Sequence, residues 1–489
     1  NLAASYVTDD YFGMMDSNEG DLSYLNRQDV ATGRIPVSNA LEAEQVVTKI
    51  LNYYSSKSFG DWNSHITLIA DDIDAAGEET LQINMEKIAD TIKERAPLFN
   101  LKKIYLDAYK QISTSGGNKY PTVNTDIINS VESGTLMVNY FGHGGESGWA
   151  SEGIIGVPEI KAFKNIDKLP LFVTVTCEFS RFDNPLRKTA GEYVLWNANG
   201  GAGSLISTTR EIYISVGEAL NENLVKNLLN FSNQNYSIAE ALMHTKNSFS
   251  TSQRYFIFML GDPAMKLRVP EPKIKLTKMN DVDISQSLDT IKALSYTKFE
   301  GEVTNASGTI LTNFNGEIDV TVFDKEILKE TLDNDNKNIK MKFDAVESKI
   351  FKGKSKVENG HFIFDFVAPK DIKIAFGKGK LSFYANNKVI NKGGYNLDIT
   401  IGGINENAPE DTNGPTIQLY MNDLNFVEGG NTNESPLFIA VLEDENGINT
   451  SITAVDHDII AILDGDQSNP IVLNDYFQTE LNNYKKGKV

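Results

Sequence analysis

Thr135-Leu-Met-Val-Asn-Tyr-Phe-Gly-His143-Gly-Gly and Leu171-Phe-Val-Thr-Val-Thr-Cys177-Glu decide how this chain is read. Each is an apolar, β-branched run of strand length that ends in a reactive residue type. The first is followed by a histidine in a glycine-rich turn, and the second ends at the single cysteine of the chain. His143 and Cys177 are 34 residues apart, room for one helix between two parallel strands. Parallel neighbours carry their C-terminal ends on the same edge of a sheet, where open α/β sheets build their sites. The spacing therefore predicts a Cys-His dyad at one sheet edge.

Working outward, strand and helix patterns alternate over the first 270 or so residues. Strands are predicted at Gly33–Val37, His65–Ala70, Lys103–Asp107 and Ser204–Ser207. Helices are predicted at Asn39–Tyr54, Glu79–Arg95, Pro121–Glu132, Pro158–Phe163, Leu186–Asn197, Val216–Leu229 and Ile238–Ser248. That alternation predicts a parallel sheet flanked by helices. The pattern changes at Val269-Pro-Glu-Pro272. Strand-like runs follow, at Lys273–Met279, Phe299–Val303, Glu317–Phe323, His361–Val367, Leu381–Ala385 and Leu397–Ile401, some with a period of two, which suggests an antiparallel sandwich. The expected organisation is residues 1–270 as an α/β domain, 271–402 as a β-sandwich, 403–415 as a polar linker, and 416–489 as a second β module that is cut off at Val489. Ile417–Tyr420, Leu437–Leu442 and Ile459–Leu463 are its expected strands.

Composition sets limits. Of 489 residues, 40% are hydrophobic and 23% charged, with no run of membrane-span length. The net charge of −20 argues against nucleic acid and anionic membrane as partners. Residues 401–489 carry 15 acidic residues and 3 lysines, −12 of that total, which fits a secreted or surface protein or a module that binds cations. A solvated acidic surface is the plainer account. Asp9, Asp10 and Asp16 offer carboxylates for calcium, but their spacing is not that of an EF-hand loop. One cysteine excludes an intrachain disulfide and a zinc site of several thiolates. The chain opens on Asn1-Leu-Ala-Ala without an initiator methionine or signal peptide, and is expected to be part of a longer protein whose N-terminal part is missing.

A lone cysteine is often only a small buried hydrophobe. Its placement here suits chemistry better. A thiolate attacks an acyl carbon when a base takes its proton, and the same imidazole then protonates the leaving amine. The main-chain N–H groups of Gly144 and Cys177 are candidate oxyanion donors. Gly142, Gly144 and Gly145 allow close approach of a substrate. Asp71 and Asp72 end a neighbouring strand, and one of them is a candidate to orient the imidazole. Of the other histidines, His65 begins a strand at the wrong edge, His244 falls within a helix, and His361 and His457 lie in the β modules. Glu146, Glu178 and Asp183 lie near the site and would favour basic substrate, or are simply loop charges.

Asn139-Tyr-Phe-Gly-His143-Gly-Gly-Glu-Ser-Gly-Trp149, Thr174-Val-Thr-Cys177-Glu-Phe and Phe258-Met-Leu-Gly-Asp-Pro263 resemble the gingipain family of cysteine peptidases over about residues 1–270. The resemblance implies an α/β caspase-like (gingipain-type) catalytic domain with a parallel-rich sheet, followed by immunoglobulin-like β-sandwich modules. It gives His143 and Cys177 the dyad roles, Gly144 and Cys177 the oxyanion roles, and Asp72 the orienting role, with Asp in place of the family's longer Glu. Gly145, Glu146, Trp149 and Glu178 become candidate substrate contacts.

Gly414-Pro-Thr-Ile-Gln-Leu-Tyr-Met-Asn-Asp423, Asp444-Glu-Asn-Gly-Ile-Asn449, His457-Asp-Ile-Ile-Ala-Ile-Leu-Asp464, Leu473-Asn-Asp-Tyr-Phe477 and Glu178-Phe-Ser-Arg-Phe-Asp183 resemble the C-terminal signal peptidases, or sortases, of type IX secretion. That resemblance implies a protein on the outer surface of a Gram-negative outer membrane. It would remove the C-terminal signal domain of secreted cargo, link the cargo to a lipopolysaccharide amine, and work with an outer-membrane barrel shuttle protein. No cofactor is implied for catalysis, and structural calcium is compatible with the acidic composition. The competing readings are a simple secreted peptidase and a non-catalytic surface adhesion module.

Overall fold

The computed structural model describes residues 5–23, 25–229, 235–451 and 458–489, so His457 lies outside the described residues. The chain forms two compact units. One comprises Asn1–Val269 with Leu328–Ala345, and the other Pro270–Ile327 with Val346–Val489.

The first unit is built on six strands: β1 (His65–Ala70), β2 (Asn100–Tyr105), β3 (Met137–Phe141), β4 (Leu171–Val175), β5 (Ser204–Thr208) and β6 (Ile257–Leu260). Their order across the sheet is β6-β5-β4-β3-β1-β2, all parallel except β6. Strands β3, β4 and β5 are buried along their whole length, as central strands covered on both faces must be. This is why they read as continuous apolar runs rather than alternating ones.

Among the described residues seven α-helices accompany the sheet: α1 (Ala40–Tyr53), α2 (Glu79–Arg95), α3 (Pro121–Ser133), α4 (Val157–Ala162), α5 (Ala190–Trp196), α6 (Ile214–Leu228) and α7 (Ile238–Asn247). Their starts are specified locally. Asn39 caps α1 through Glu42 N–H, and Thr189 and Ser237 form capping boxes with Glu192 and Glu240. Pro121 opens α3, and Gly134, at φ 106°, ends it. Two sequence expectations change. The Gly33–Val37 strand reduces to one bridge, Arg34 with Leu260. Helix α5 starts four residues after Leu186, where Thr189 can cap it.

In the second unit, β7 (Glu271–Met279), β8 (Tyr296–Val303), β9 (Gly316–Phe323), β10 (Lys349–Glu358), β11 (His361–Val367), β12 (Lys380–Asn386) and β13 (Asn391–Asn396) pair in the order β7-β8-β11-β10-β9-β12-β13. Strand β7 also pairs with β13 in parallel, which closes the ring. The sequence predicts two facing sheets. The strands are instead linked in one ring, because Ile274 of β7 pairs with Val303 on one side and Gly394 on the other. The predicted Leu397–Ile401 strand straddles a break, with the strand running over Thr400–Ile404. A small antiparallel sheet follows, of β14 (Thr416–Met421), β15 (Phe438–Glu443), β16 (Gln478–Glu480) and β17 (Asn483–Lys488), ordered β14-β15-β17-β16. The predicted Ile459–Leu463 strand shrinks to Ile460–Ala461.

Candidate active site

The site is assembled by the register of β3 and β4. Phe141 lies opposite Val175, and the Gly142 N–H donates to the Val175 carbonyl at 3.2 Å. His143 and Cys177 each lie two residues beyond that pair, so both leave the sheet at the same edge. Gly144, just after His143, lies against Thr176, just before Cys177. A Cβ at position 144 would fall 2.6 Å from Thr176 Oγ1 and 2.9 Å from the Gly148 carbonyl, so only glycine fits between the two turns.

The turn carrying His143 is held from below. Its main-chain N–H donates to Asp71 Oδ2 at 2.6 Å, and the Tyr140 hydroxyl lies 2.5 Å from the His143 carbonyl and 3.0 Å from the same Asp71 oxygen. Burial and the neighbouring Asp72 push the Asp71 carboxyl well up. Beyond the turn, Gly144–Gly145 pairs with Gly148–Trp149 in a short hairpin. Ala150 N–H donates to the His143 carbonyl at 2.9 Å. That makes Gly144 and Trp149 a non-hydrogen-bonded pair, so the Gly144 N–H points out of the hairpin, as an oxyanion donor requires. Position 145 faces open space.

The imidazole has a partner that sequence reasoning missed. His143 Nε2 lies 2.8 Å from Glu78 Oε1, while Glu78 Oε2 accepts the Ala75 N–H at 2.7 Å. A carboxylate only accepts, so Nε2 carries the proton and Nδ1 is left as the basic nitrogen. Asp72, the residue expected in this role, is elsewhere engaged. Its Oδ2 accepts from the Tyr120 hydroxyl at 2.9 Å and from Gln111 at 3.3 Å. Burial, with the Glu152 charge second, pushes the Asp72 carboxyl up to about 7. The signal for Glu78 was present but indirect: an acid after the Gly77 turn, at the foot of the helix that follows β1.

The Cys177 thiol is partly buried. Burial pushes it above the ordinary thiol range, and Glu211 and Glu178 add to this, while a hydrogen bond from the Ile212 main chain works the other way. The thiol is thus protonated at neutral pH, and its activation calls for a base rather than a pre-formed thiolate.

The remaining predicted contacts sort differently. Trp149 is fully buried and stacks on Tyr140 at 4.6 Å, so it is core and not a substrate contact. Glu146 is held by Arg187 Nε at 2.7 Å, Asn184 Nδ2 at 2.8 Å and Arg181 at 3.4 Å, which removes it as an open acceptor for basic substrate. Glu178 has φ 51° and pairs with Arg181 at 3.3 Å. Asp183 grips Arg210 with both oxygens, at 3.0 and 2.6 Å. Asp9 pairs with Arg34 and Asp10 with Lys246, so neither is free for calcium.

The sequence model of peptidase family C25 matches residues 2–268, more than half of the chain. The chain belongs to peptidase family C25, the gingipain family. Its first unit is the gingipain-like caspase fold with a mixed, parallel-rich sheet, and the chain is a cysteine peptidase by family. Among solved structures it is similar to the Arg-specific cysteine proteinase gingipain R (RgpB), at 16% identity over 81% of this chain and 79% of that one, TM-score 0.44. It is also similar to the complex of RgpB pro- and mature domains from Porphyromonas gingivalis, at 15% identity over 81% and 80%, TM-score 0.44. A third likeness is to dimeric latent PorU from Porphyromonas gingivalis, at 23% identity over 99% of this C25 chain and 40% of that one, TM-score 0.34. No curated protein sequence matches the chain. Among the described residues no helix of this C25 peptidase is long and apolar enough to cross a membrane.

Proposed function

We propose that the chain is a cell-surface cysteine endopeptidase and transpeptidase that removes the C-terminal signal domain of type IX-secreted cargo. The observation that carries the peptidase chemistry is the arrangement of His143 and Cys177 two residues beyond one register pair, with Glu78 fixing the imidazole. Nδ1 takes the thiol proton as sulfur attacks the scissile carbonyl carbon, and the Gly144 and Cys177 N–H groups receive the oxyanion. The C–N bond breaks, the imidazolium protonates the departing amine, and a thioester remains. Neutral His143 then deprotonates an incoming nucleophile. The C–S bond breaks, the imidazolium returns its proton to the Cys177 sulfur, and either an acid (from water) or an amide (from an amine) forms.

The choice of amine over water rests on likeness in sequence. The stretches Gly414–Asp423, Asp444–Asn449 and Leu473–Phe477 resemble the type IX sortases and lie outside the C25 match. On this reading the acceptor is a lipopolysaccharide amine, the partner is an outer-membrane barrel shuttle protein, and the enzyme works at the outer surface of a Gram-negative outer membrane. The test incubates enzyme and native cargo with graded amine acceptor and weighs the products. A cargo–amine adduct that rises with acceptor at the expense of free acid is the expected result. Free acid alone at every level, native acceptor included, makes this a hydrolytic peptidase and removes the sortase reading. Cys177→Ala should abolish both products while leaving the fold intact.

A further inference from the structure

Strand β5 ends on Thr208, which holds the turn that carries Cys177 at both of its ends. Its hydroxyl donates to the Thr176 carbonyl, immediately before the cysteine. Its own carbonyl accepts the Ser180 N–H at 3.0 Å, just after the cysteine. Between those two contacts Glu178 sits at φ 51°, a conformation that a non-glycine residue keeps only where its surroundings fix it. Thr208 is itself anchored from the far side. It pairs with Ile257 of the antiparallel strand β6, and the Thr209 N–H donates to the Phe256 carbonyl at 2.9 Å. The register explains why a side chain has this task. The pairing of β4 with β5 runs only to Val173 opposite Ile206, so the Thr176 carbonyl lies beyond that ladder and within reach of the Thr208 hydroxyl. Thr176, Ser180 and Thr208 are 2%, 0% and 0% exposed, so water does not replace a contact that is lost here.

We infer that Thr208 is a positioning residue for the oxyanion site, acting through the peptide group between Thr176 and Cys177. The Thr176 carbonyl and the Cys177 N–H belong to one planar trans unit, so they point in opposite directions. A hydroxyl that fixes the carbonyl therefore fixes the direction of the N–H. It also polarises that N–H. Electron density drawn toward the carbonyl oxygen leaves the amide hydrogen more positive, which is the cooperative strengthening of hydrogen bonds in a chain. Both effects grow in value as negative charge builds on the substrate oxygen, so they favour the tetrahedral intermediate over the bound substrate. No proton moves to or from Thr208, whose hydroxyl remains a donor throughout. The inference rests on the reading of Cys177 as nucleophile and of its N–H as an oxyanion donor.

The test compares two reactions of the same thiol in the full chain. Acylation by p-nitrophenyl acetate passes through a tetrahedral oxyanion: the C–S bond forms, the C–O bond breaks and nitrophenolate leaves. Alkylation by iodoacetamide displaces iodide at a saturated carbon and builds no oxyanion. Both reactions spend the same thiol proton, so a change in thiol ionisation affects both and largely drops out of the ratio of their rates. Cys177→Ala supplies the background. Thr208→Val keeps the shape of the side chain and loses the hydroxyl. Its ratio of acylation to alkylation should fall about 10-fold, less than the roughly 100- to 1,000-fold cost of removing a direct oxyanion donor. Thr208→Ser, which keeps the hydroxyl, should stay within about 2-fold of the wild type. A ratio in Thr208→Val equal to that of the wild type overturns the inference, as do two rates that fall together and a Thr208→Ser as impaired as Thr208→Val. Should Thr208→Val fail to fold, Thr208→Ala is read in the same way. A wild type acylated no faster than His143→Ala overturns the dyad, and this inference with it. A wild type acylated faster than His143→Ala, with Thr208→Val unchanged from it, overturns this inference alone.

Discussion

Glu78 sets the tautomer of His143, and with it which nitrogen can serve as base. Glu78→Gln keeps an acceptor for Nε2–H but loses the charge that stabilises the imidazolium. A hydrogen bond to a charged group is worth about 1.5–3 kcal/mol, so kcat/KM should fall by about 10- to 100-fold, with little change in the thermal midpoint. An unchanged kcat/KM would remove Glu78 from the mechanism. The Cys177 thiol gives a second reading at this scale. Burial, then Glu211 and Glu178, disfavour the thiolate. The rate of iodoacetamide labelling should therefore rise with pH through a midpoint above that of an ordinary thiol, and Glu211→Gln should move that midpoint down. The single cysteine makes the measurement unambiguous. His143 and Cys177 were legible in the sequence because each follows an apolar strand, and strand ends are fixed by local pattern. Glu78 was not, because its reach to the imidazole depends on how residues 71–78 fold between β1 and α2. Trp149 was misjudged for a related reason. A glycine-rich stretch looks like an open loop, but the hairpin it forms turns the indole into the core.

Helix α1 shows where pattern and packing part. Its apolar positions recur at helical spacing, and the helix forms over Ala40–Tyr53 as that spacing predicts. The face it buries is another one: Val46, Lys49 and Tyr53 are inside, while Leu41, Val47 and Leu51 are exposed. Lys49 explains the choice. Its ammonium donates to the Val194 and Leu195 carbonyls at 3.1 and 2.9 Å and so caps the C-terminal end of α5. Burial pulls the Lys49 ammonium down to about 7. Between that value and the ordinary lysine range, the unfolded chain holds a proton that the folded chain has released, so stability rises with pH. The cost of burying the charge is present in full below pH 7 and is relieved as pH rises toward 10. Measured against Lys49→Met, which has no such proton, the wild type should gain up to roughly 1.4 kcal/mol per pH unit across that window. A stability difference that is flat in pH, by denaturant titration, would mean that Lys49 titrates normally. Strand β10 was missed from sequence for a different reason. Lys349-Ile-Phe-Lys-Gly-Lys-Ser-Lys-Val-Glu358 alternates, but glycine and serine occupy inward positions, so the apolar signal is diluted.

At the scale of the molecule, chain order and compact units do not coincide. Leu328–Ala345 falls within the stretch read as a β-sandwich, yet it belongs with the first unit. Leu332 N–H donates to the Asp107 carbonyl at 2.6 Å, Asn334 reaches the Tyr109 carbonyl at 2.9 Å, and Phe343 meets Tyr105 edge-on at 4.8 Å. No local pattern announces such a return, because its partners lie more than 200 residues back. The expected linker behaves otherwise. From Pro409 to Leu419 every residue is exposed, and residues 405–415 carry no helix or strand. Proteases need a segment that can leave its hydrogen bonds and enter an extended active site. A glutamate-specific protease therefore meets very different glutamates here. Glu406 and Glu410 are exposed in that stretch, whereas Glu271 begins β7 and pairs with Lys392. Limited digestion should cut first at Glu406 or Glu410 and leave Glu271 intact, although Glu271 adjoins the change of pattern at Val269–Pro272. Mass spectrometry of the first fragments checks this. A first cut at Glu271 would mean that the β7–β13 pairing does not hold in solution, and with it that the ring is open.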